Sequence, residues 1–201
     1  GGVSMGMNPK LLELIKSSNN MITSSQAEEN GFSRALLSWY VKKGFLERGQ
    51  RGVYVLPDSI YDDMYAMMLR SDSIIFSHET ALFLNGLSDR TPFIHSLTIP
   101  STTKISNTLK DECTLYYIKP ELHQIGLITI ETTLGNTVRC YNAERTICDL
   151  LRSRSRLDEE TVLNAVKNYA SSKDKDLHRL DVYASKFGVK TVLKYYMEVL
   201  L

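Results

Sequence analysis

The sequence has few features that would link it to a membrane, an oxidising compartment or a strongly charged partner. Its three cysteines, Cys113, Cys140 and Cys148, are an odd number without paired spacing, which argues against a disulfide framework and favours a reducing cytoplasm. No stretch approaches the roughly 18–20 consecutive apolar residues of a membrane span, and the first residues lack a signal-peptide pattern. The net charge is only +1, so any attraction to nucleic acid must come from a local patch.

The motifs of common catalytic and metal chemistries are also missing. There is no Walker loop, no GxSxG, no HExxH and no closely spaced Cys/His cluster. Adjacent residues on a helix point apart, so Ser77, His78 and Glu79 do not form a catalytic triad by themselves, and Ser77 is predicted to cap a helix. We therefore expect no metal, no cofactor and no enzymatic activity. The remaining histidines are scattered: His95, His123 and His178.

The composition is that of a folded chain, with 43% hydrophobic and 23% charged residues in a length of 201. That length suits one medium domain or two small ones. Residues 1–6 are expected to be a cloning remnant, with the natural start at Met7 or Met5. Residues 7–57 are predicted to form a DNA-binding domain, and residues 58–201 a larger second domain.

The N-terminal segment has the layout of a helix-turn-helix followed by a hairpin. Capping residues predict where three short helices begin: Asn8 with Pro9, Ser24 and Ser33. The second and third helices are predicted to end at Gly31 and Gly44, where a left-handed residue is favoured. Two strand-like segments, 45–48 and 52–56, then flank a short polar turn. We call this predicted hairpin the wing.

Helical periodicity divides the third helix into two faces. Leu37, Tyr40 and Val41 are predicted to pack on the first two helices, which leaves a polar, basic face free to enter a major groove. Residues 33–56 carry five basic side chains against Glu47, a local charge of +4. Trp39 has an open alternative, packing against the wing or a second copy. The predicted DNA-binding residues are Ser33, Arg34, Ser38, Trp39, Lys42, Lys43, Arg48, Gln50 and Arg51.

The rest of the chain predicts a mixed sheet followed by a helical bundle, so the fold class is α+β. Strands are predicted at 96–100, 114–118, 127–133 and 137–141, after a short buried strand at 74–76. The predicted helices cover 59–70, 77–85, 142–151, 158–170, 177–187 and 189–201. The first of these carries a stripe of methionines, which we interpret as core.

A second basic group lies in this C-terminal region. Three arginines alternate between two predicted helices, and we interpret them either as an exposed charged loop or as a surface that contacts phosphate or RNA. Glu144 and Asp149 flank Arg145 and are expected to orient and neutralise it. The complete predicted basic patch is Arg145, Arg152, Arg154, Arg156, Lys190 and Lys194. We expect it to compete for a nucleic-acid or nucleotide substrate.

Three segments together resemble one family. Residues 30–33 and 43–54 resemble the winged helix of AbiEi-type antitoxins. Residues 77–88 are similar to the family stretch SHxSALxLHGL, with Thr80 in place of Ser and Asn85 in place of His. Residues 142–151 resemble its xxERTicDLl signature. The substitution at Asn85 argues against any chemistry that needs that histidine.

The resemblance implies an antitoxin of a bacterial abortive-infection operon, a type IV toxin–antitoxin system associated with phage resistance. Its N-terminal domain would repress the shared promoter by binding inverted repeats in double-stranded DNA. Its C-terminal domain would counter a nucleotidyltransferase-like toxin without a stable complex. We expect a cytoplasmic protein, away from the membrane, that is a monomer in solution and binds DNA as two copies.

Two other functions stay open at this point. One is a stand-alone repressor whose C-terminal domain senses a small ligand, in a pocket formed by the methionine stripe and the pair Tyr116–Tyr117. The other is an enzyme, such as a nuclease or a modifier that reverses the toxin's chemistry.

Overall fold

The computed structural model describes residues 6–50 and 52–200, which divide into two compact units. The first unit runs to Asp72 and also includes Glu131–Val138, and the second unit contains Ser73–Ile130 and the chain from Arg139 onwards. This division lies beyond the predicted boundary at residue 57. The reason is local bonding, since Asp62 accepts hydrogen bonds from Thr132 and from Asn136, the latter at 2.9 Å.

The first unit consists of short helices and a three-stranded antiparallel sheet of order β1-β3-β2. Its wing is the hairpin β2–β3, in which Arg48 is opposite Tyr54. The strand β1 was not predicted, and it adds Ile22 to the other side of Tyr54. The elements are α1 (Pro9–Ser17), β1 (Met21–Thr23), α2 (Ser24–Glu29), α3 (Arg34–Lys42), β2 (Glu47–Arg48), β3 (Val53–Val55) and α4 (Asp63–Met68).

Side-chain caps explain where the first helices begin. The Asn8 carboxamide accepts from the Lys10 amide at 2.9 Å, and the Ser33 hydroxyl accepts from the Leu36 amide at 3.1 Å, as the sequence predicts. The predicted cap of α2 is wrong. Thr23, in extended conformation at the end of β1, caps that helix, and Thr23 and Gln26 form a reciprocal capping box.

The methionine helix is shorter than predicted. It begins only after Asp62, whose side chain accepts from the Met64 and Tyr65 amides, so the predicted first residues 59–62 are not helical and Ile60 is 74% exposed. Met64 and its helical neighbours Met67 and Met68 are buried. The prediction that these methionines form core is confirmed.

The second unit is built on a mixed five-stranded sheet of order β6-β5-β4-β8-β7. Strand β4 pairs antiparallel with β5 and parallel with β8, while β5 pairs parallel with β6. The predicted strands are present, and the α+β fold class is confirmed. The strands are β4 (Ile75–Phe76), β5 (Ser96–Pro100), β6 (Thr114–Ile118), β7 (Leu127–Glu131) and β8 (Thr137–Tyr141).

Helices pack around a core that contains Ile147, Leu150, Val162, Val166 and Tyr169. All three cysteines are buried free thiols. None of the helices in the described part of the chain has both the length and the apolar character that a membrane-spanning segment requires. The helices are α5 (His78–Leu84), α6 (Asn107–Glu112), α7 (Pro120–His123), α8 (Ala143–Arg152), a 3-10 turn (Arg154–Arg156), α9 (Glu159–Ala170), α10 (Leu177–Lys186) and α11 (Lys190–Leu200); α6 and α7 were not predicted.

Candidate nucleic-acid interface

Helix α3 is fixed to the first unit through one face only. Leu37 is fully buried and Tyr40 nearly so, and both belong to the core formed with α1. The Tyr40 hydroxyl also accepts a hydrogen bond from the Asn8 amide at 2.9 Å. The predicted packing face is confirmed, and its rigid attachment holds the opposite face in a fixed orientation.

That opposite face is exposed along its whole length. Six of the nine predicted DNA-binding residues lie on it or at its ends, and all are exposed: Ser33, Arg34, Ser38, Trp39, Lys42 and Lys43. Trp39 is 49% exposed, contacts Tyr40 edge-on, and has the Lys43 ammonium 5.6 Å from its ring centre. The face therefore offers cations and one aromatic ring to solvent.

Arg34 forms an ion pair with Glu28 of α2, at 2.9 Å from Nε to Oε1. Both side chains are largely exposed, so the pair contributes little to stability. A phosphate oxygen that binds Arg34 therefore displaces an ion pair with Glu28 that contributes little free energy. The pair holds the guanidinium at the start of α3 without blocking it.

Arg48 connects the wing to α3. Its guanidinium donates to the Ser38 hydroxyl and to the Tyr54 hydroxyl, each at 3.1 Å, and lies 5.3 Å from the Tyr54 ring centre. Two residues predicted to contact DNA are thus bonded to each other. Because this bond spans the helix and the hairpin, it sets their relative positions before any ligand binds.

The wing turn is held from both sides. The Gln50 amide donates to the Tyr61 hydroxyl at 3.1 Å, and the Gly52 carbonyl accepts from the Ser24 amide at 2.9 Å. Gly52 has a φ of +76°, a conformation that favours glycine. The Gln50 side chain is exposed. Arg51, also predicted to contact DNA, lies outside the described residues.

Arg145 does not belong to a surface patch, and its inclusion there was wrong. The side chain is completely buried, with the guanidinium 3.9 Å from the Tyr141 ring centre and 4.2 Å from that of Phe187. Its Nε bonds to Asp149 at 3.0 Å, so that carboxylate does orient it as expected. Glu144, the other expected partner, instead lies 3.4 Å from Arg179.

The turn before β7 is shaped around this arginine. Arg145 donates to the carbonyl oxygens of Leu122 and Ile125, at 2.7 and 2.9 Å. Gly126 has a φ of +81°, and a Cβ there would lie 2.7 Å from the Arg145 Cβ. Only glycine fits at this close approach. Arg145 is therefore an internal support of the second unit.

The other five members of the predicted basic patch are exposed: Arg152, Arg154, Arg156, Lys190 and Lys194. Lys190 lies 3.5 Å from Asp181, and both side chains are 62% exposed. The Arg154 guanidinium donates to the Leu151 carbonyl at 2.6 Å. These five cations remain accessible to a ligand or a partner.

His78 is buried at the centre of a polar cluster that the sequence does not reveal. Ser77 occupies the N-cap position of α5 as predicted, but its side chain makes no capping bond. Its hydroxyl lies 2.8 Å from His78 Nδ1 and accepts from the Thr98 hydroxyl at 2.7 Å. The other ring nitrogen, Nε2, is 3.1 Å from the Ser153 hydroxyl. Burial, together with the charges of Arg145 and Arg156, lowers the pKa of His78 to about 3.

This pKa predicts a pH effect on stability. In the unfolded chain His78 protonates near its ordinary pKa of 6.5, but in the folded chain only near 3, so stability falls as pH drops through this window. We expect His78→Asn, which tolerates the φ of +51° at this position, to lessen the loss between pH 7 and pH 5 by about 2 kcal/mol. Urea unfolding at both pH values measures it. Identical pH dependence in the two proteins would contradict the assignment.

The predicted ligand pocket of Tyr116 and Tyr117 does not form. Tyr116 is buried and stacks on His78 with 3.5 Å between ring centres, whereas Tyr117 is 51% exposed. Successive residues of a strand point to opposite faces, which separates the two rings. Within the described part of the chain, no group of three or more His, Cys, Asp or Glu side chains is arranged to hold a metal ion.

Comparison with known proteins identifies a family model for the N-terminal segment and a solved structure with a similar fold. Residues 9–57 match the family model described as a transcriptional regulator, AbiEi antitoxin, so the resemblance of that segment is confirmed. The chain is also similar in fold to the crystal structure of the RV2827C protein from Mycobacterium tuberculosis. The TM-score is 0.58 at 12% identity, over 89% of this chain and 72% of the other. No curated protein matches the sequence.

Proposed function

We propose that the chain is the antitoxin and autorepressor of a bacterial abortive-infection operon, and the match of residues 9–57 to the AbiEi antitoxin family model supports this proposal. It acts on promoter DNA in the cytoplasm. The observation that carries the DNA-binding part is the exposed cationic face of α3, connected to the wing by the bonds from Arg48 to Ser38 and Tyr54.

We assign the reading of DNA to α3 and the wing together. The exposed face of α3 enters the major groove, where Arg34, Ser38 and Lys42 face bases or phosphates. The wing holds the flanking backbone through Arg48, Gln50 and Arg51. The bond from Arg48 to Ser38 fixes the position of the hairpin relative to the helix, so DNA binding costs less conformational entropy. One such module covers few base pairs, and a specific operator therefore needs two copies on inverted repeats.

A salt series tests this interface. Five cations are assigned to it, namely Arg34, Lys42, Lys43, Arg48 and Arg51, and about 0.9 counterions are released per phosphate contact. We expect log affinity to fall against log salt with a slope of about −4.5 per protomer. Fluorescence anisotropy with promoter DNA measures the slope. A slope of about −1 is incompatible with five phosphate contacts.

We propose that the second unit counters a nucleotidyltransferase-like toxin, without forming a stable complex with it. The exposed cations Arg152, Arg154, Arg156, Lys190 and Lys194 are the surface assigned to this role, since all five are exposed and belong to the second unit. Reversing all five charges should abolish protection in cells that express the toxin. Full protection by a folded variant overturns the assignment.

This role is one of binding rather than catalysis. The hydroxyls of Ser77 and Ser153 lie within hydrogen-bond distance of His78, and that histidine is buried with its pKa lowered to about 3. A histidine with so low a pKa is a poor general base for deprotonating a serine hydroxyl at neutral pH.

A further inference from the structure

An arginine-lined cavity lies at the C-terminal end of α8. Its volume is about 460 Å³, and Arg152 and Arg154 line it together with Glu159, Val162 and Tyr196. Arg156 follows these two arginines in the 3-10 turn after α8. None of the three forms an ion pair with a described residue. Unpaired guanidinium groups beside a cavity favour an anionic ligand, and phosphate matches their planar donors.

Hydrogen bonds to buried groups hold the turn that carries these arginines. Ser153 ends α8 and bonds to the buried His78 ring at 3.1 Å. Arg154 bonds back to the Leu151 carbonyl at 2.6 Å, and residues 154–156 form a 3-10 turn. The backbone between Arg152 and Arg156 is thus anchored to the core of the second unit.

A stack of three side chains fixes the far end of the turn. The Arg156 guanidinium lies 4.1 Å from the Tyr116 ring centre, and Tyr116 in turn stacks on His78 at 3.5 Å. His78 adopts a left-handed φ of +51°, which is unfavourable for a residue with a Cβ. The fold therefore maintains a costly conformation at the residue that holds both ends of the arginine turn.

We propose that this cavity binds a nucleoside phosphate. Arg152 and Arg154 take the phosphoryl oxygens, and the nucleoside lies against the part of Tyr196 that remains exposed, since Val162 is fully buried. The volume exceeds that of a phosphate group and is within the range of small-ligand sites. Glu159 lines the same cavity, and its negative charge opposes the anion. The site specifies which class of ligand the proposed toxin-countering surface binds, and in this respect the inference rests on the proposed function.

Calorimetry with the full chain tests the site directly. We expect ATP or GTP to bind with a dissociation constant below 1 mM and inorganic triphosphate to bind at least tenfold more weakly. Arg152→Gln and Arg154→Gln should each weaken nucleotide binding about tenfold, because a charge-assisted contact is lost. Glu159→Gln should tighten it several-fold. Lys173→Gln removes an exposed charge that lines none of these walls, and it should leave the affinity unchanged.

Three outcomes overturn the proposal. One is no nucleotide binding at 1 mM, and another is an equal loss in Lys173→Gln, which indicates diffuse attraction. The third is tighter binding of inorganic triphosphate or of a short single-stranded RNA through the same arginines, which assigns the site to another ligand. Because neither toxin nor promoter DNA is used, failure here leaves the proposed function to its own tests.

Discussion

Replacing Lys42 and Lys43 by glutamate is expected to weaken promoter binding about a hundredfold, at roughly tenfold for each reversed charge. Both lysines are exposed at the C-terminal end of α3, on the face assigned to the groove. Reversal removes two phosphate contacts and adds repulsion from the DNA backbone. Anisotropy titrations at fixed salt, on specific and on scrambled duplexes, give the affinity and the specificity. Both duplexes should be affected alike, because phosphate contacts carry no sequence information.

The matched control is Lys10→Glu/Lys16→Glu, which reverses two exposed lysines of α1 in the same unit. It changes the net charge of the protein by the same amount. We expect its affinity to fall far less, because α1 lies outside the assigned interface. An equal loss in both double variants would mean that the overall charge attracts DNA, and that α3 has no special role.

Removing Arg145 is expected to have the largest effect on stability. Arg145→Met should lower the free energy of unfolding by about 3–5 kcal/mol, since it leaves the Asp149 carboxylate buried without its cation. The carbonyl oxygens of Leu122 and Ile125 also lose their donor. Urea unfolding followed by near-UV circular dichroism measures the loss. A change below about 1 kcal/mol would show that the buried arginine is dispensable.

The pH dependence of this loss identifies its cause. Burial raises the pKa of Asp149 to about 6 from 3.8, despite the opposing charge of Arg145. The contribution of Asp149 to stability is therefore present below pH 4 and lost as pH rises through 6. Without Arg145 the carboxyl must stay protonated to remain buried, so Arg145→Met should lose more stability at pH 8 than at pH 5. Asp149→Asn in the same background should abolish that difference.

Local sequence signals predict much of the first unit. The capping pattern at Asn8 and Ser33 needs only neighbouring residues, and the exposed face of α3 follows from helical periodicity. Strand β1 escapes prediction because three residues between two helices show no alternation. The bond from Arg48 to Ser38 escapes it as well, since it joins side chains of different elements.

The basic patch shows where such reasoning ends. Arg145 and Arg152 lie on the same helix and are the same residue type in the sequence. Arg145 is nevertheless fully buried, whereas Arg152 is exposed. What separates them is the position of Phe187 and Leu122, which come from distant parts of the chain. Burial of a charge depends on the partners that surround it, and those partners are assembled only by folding.

Capping, glycine placement and helical period are properties of a few consecutive residues, so the chain order already contained the α+β class, the third helix and its cationic face. Which arginines are supports and which can meet a ligand was settled by packing. So was the arginine turn, because the His78 ring joins Ser153 and Tyr116 across long sequence separations. Contacts between distant residues form only when the core closes, and short-range patterns do not encode them.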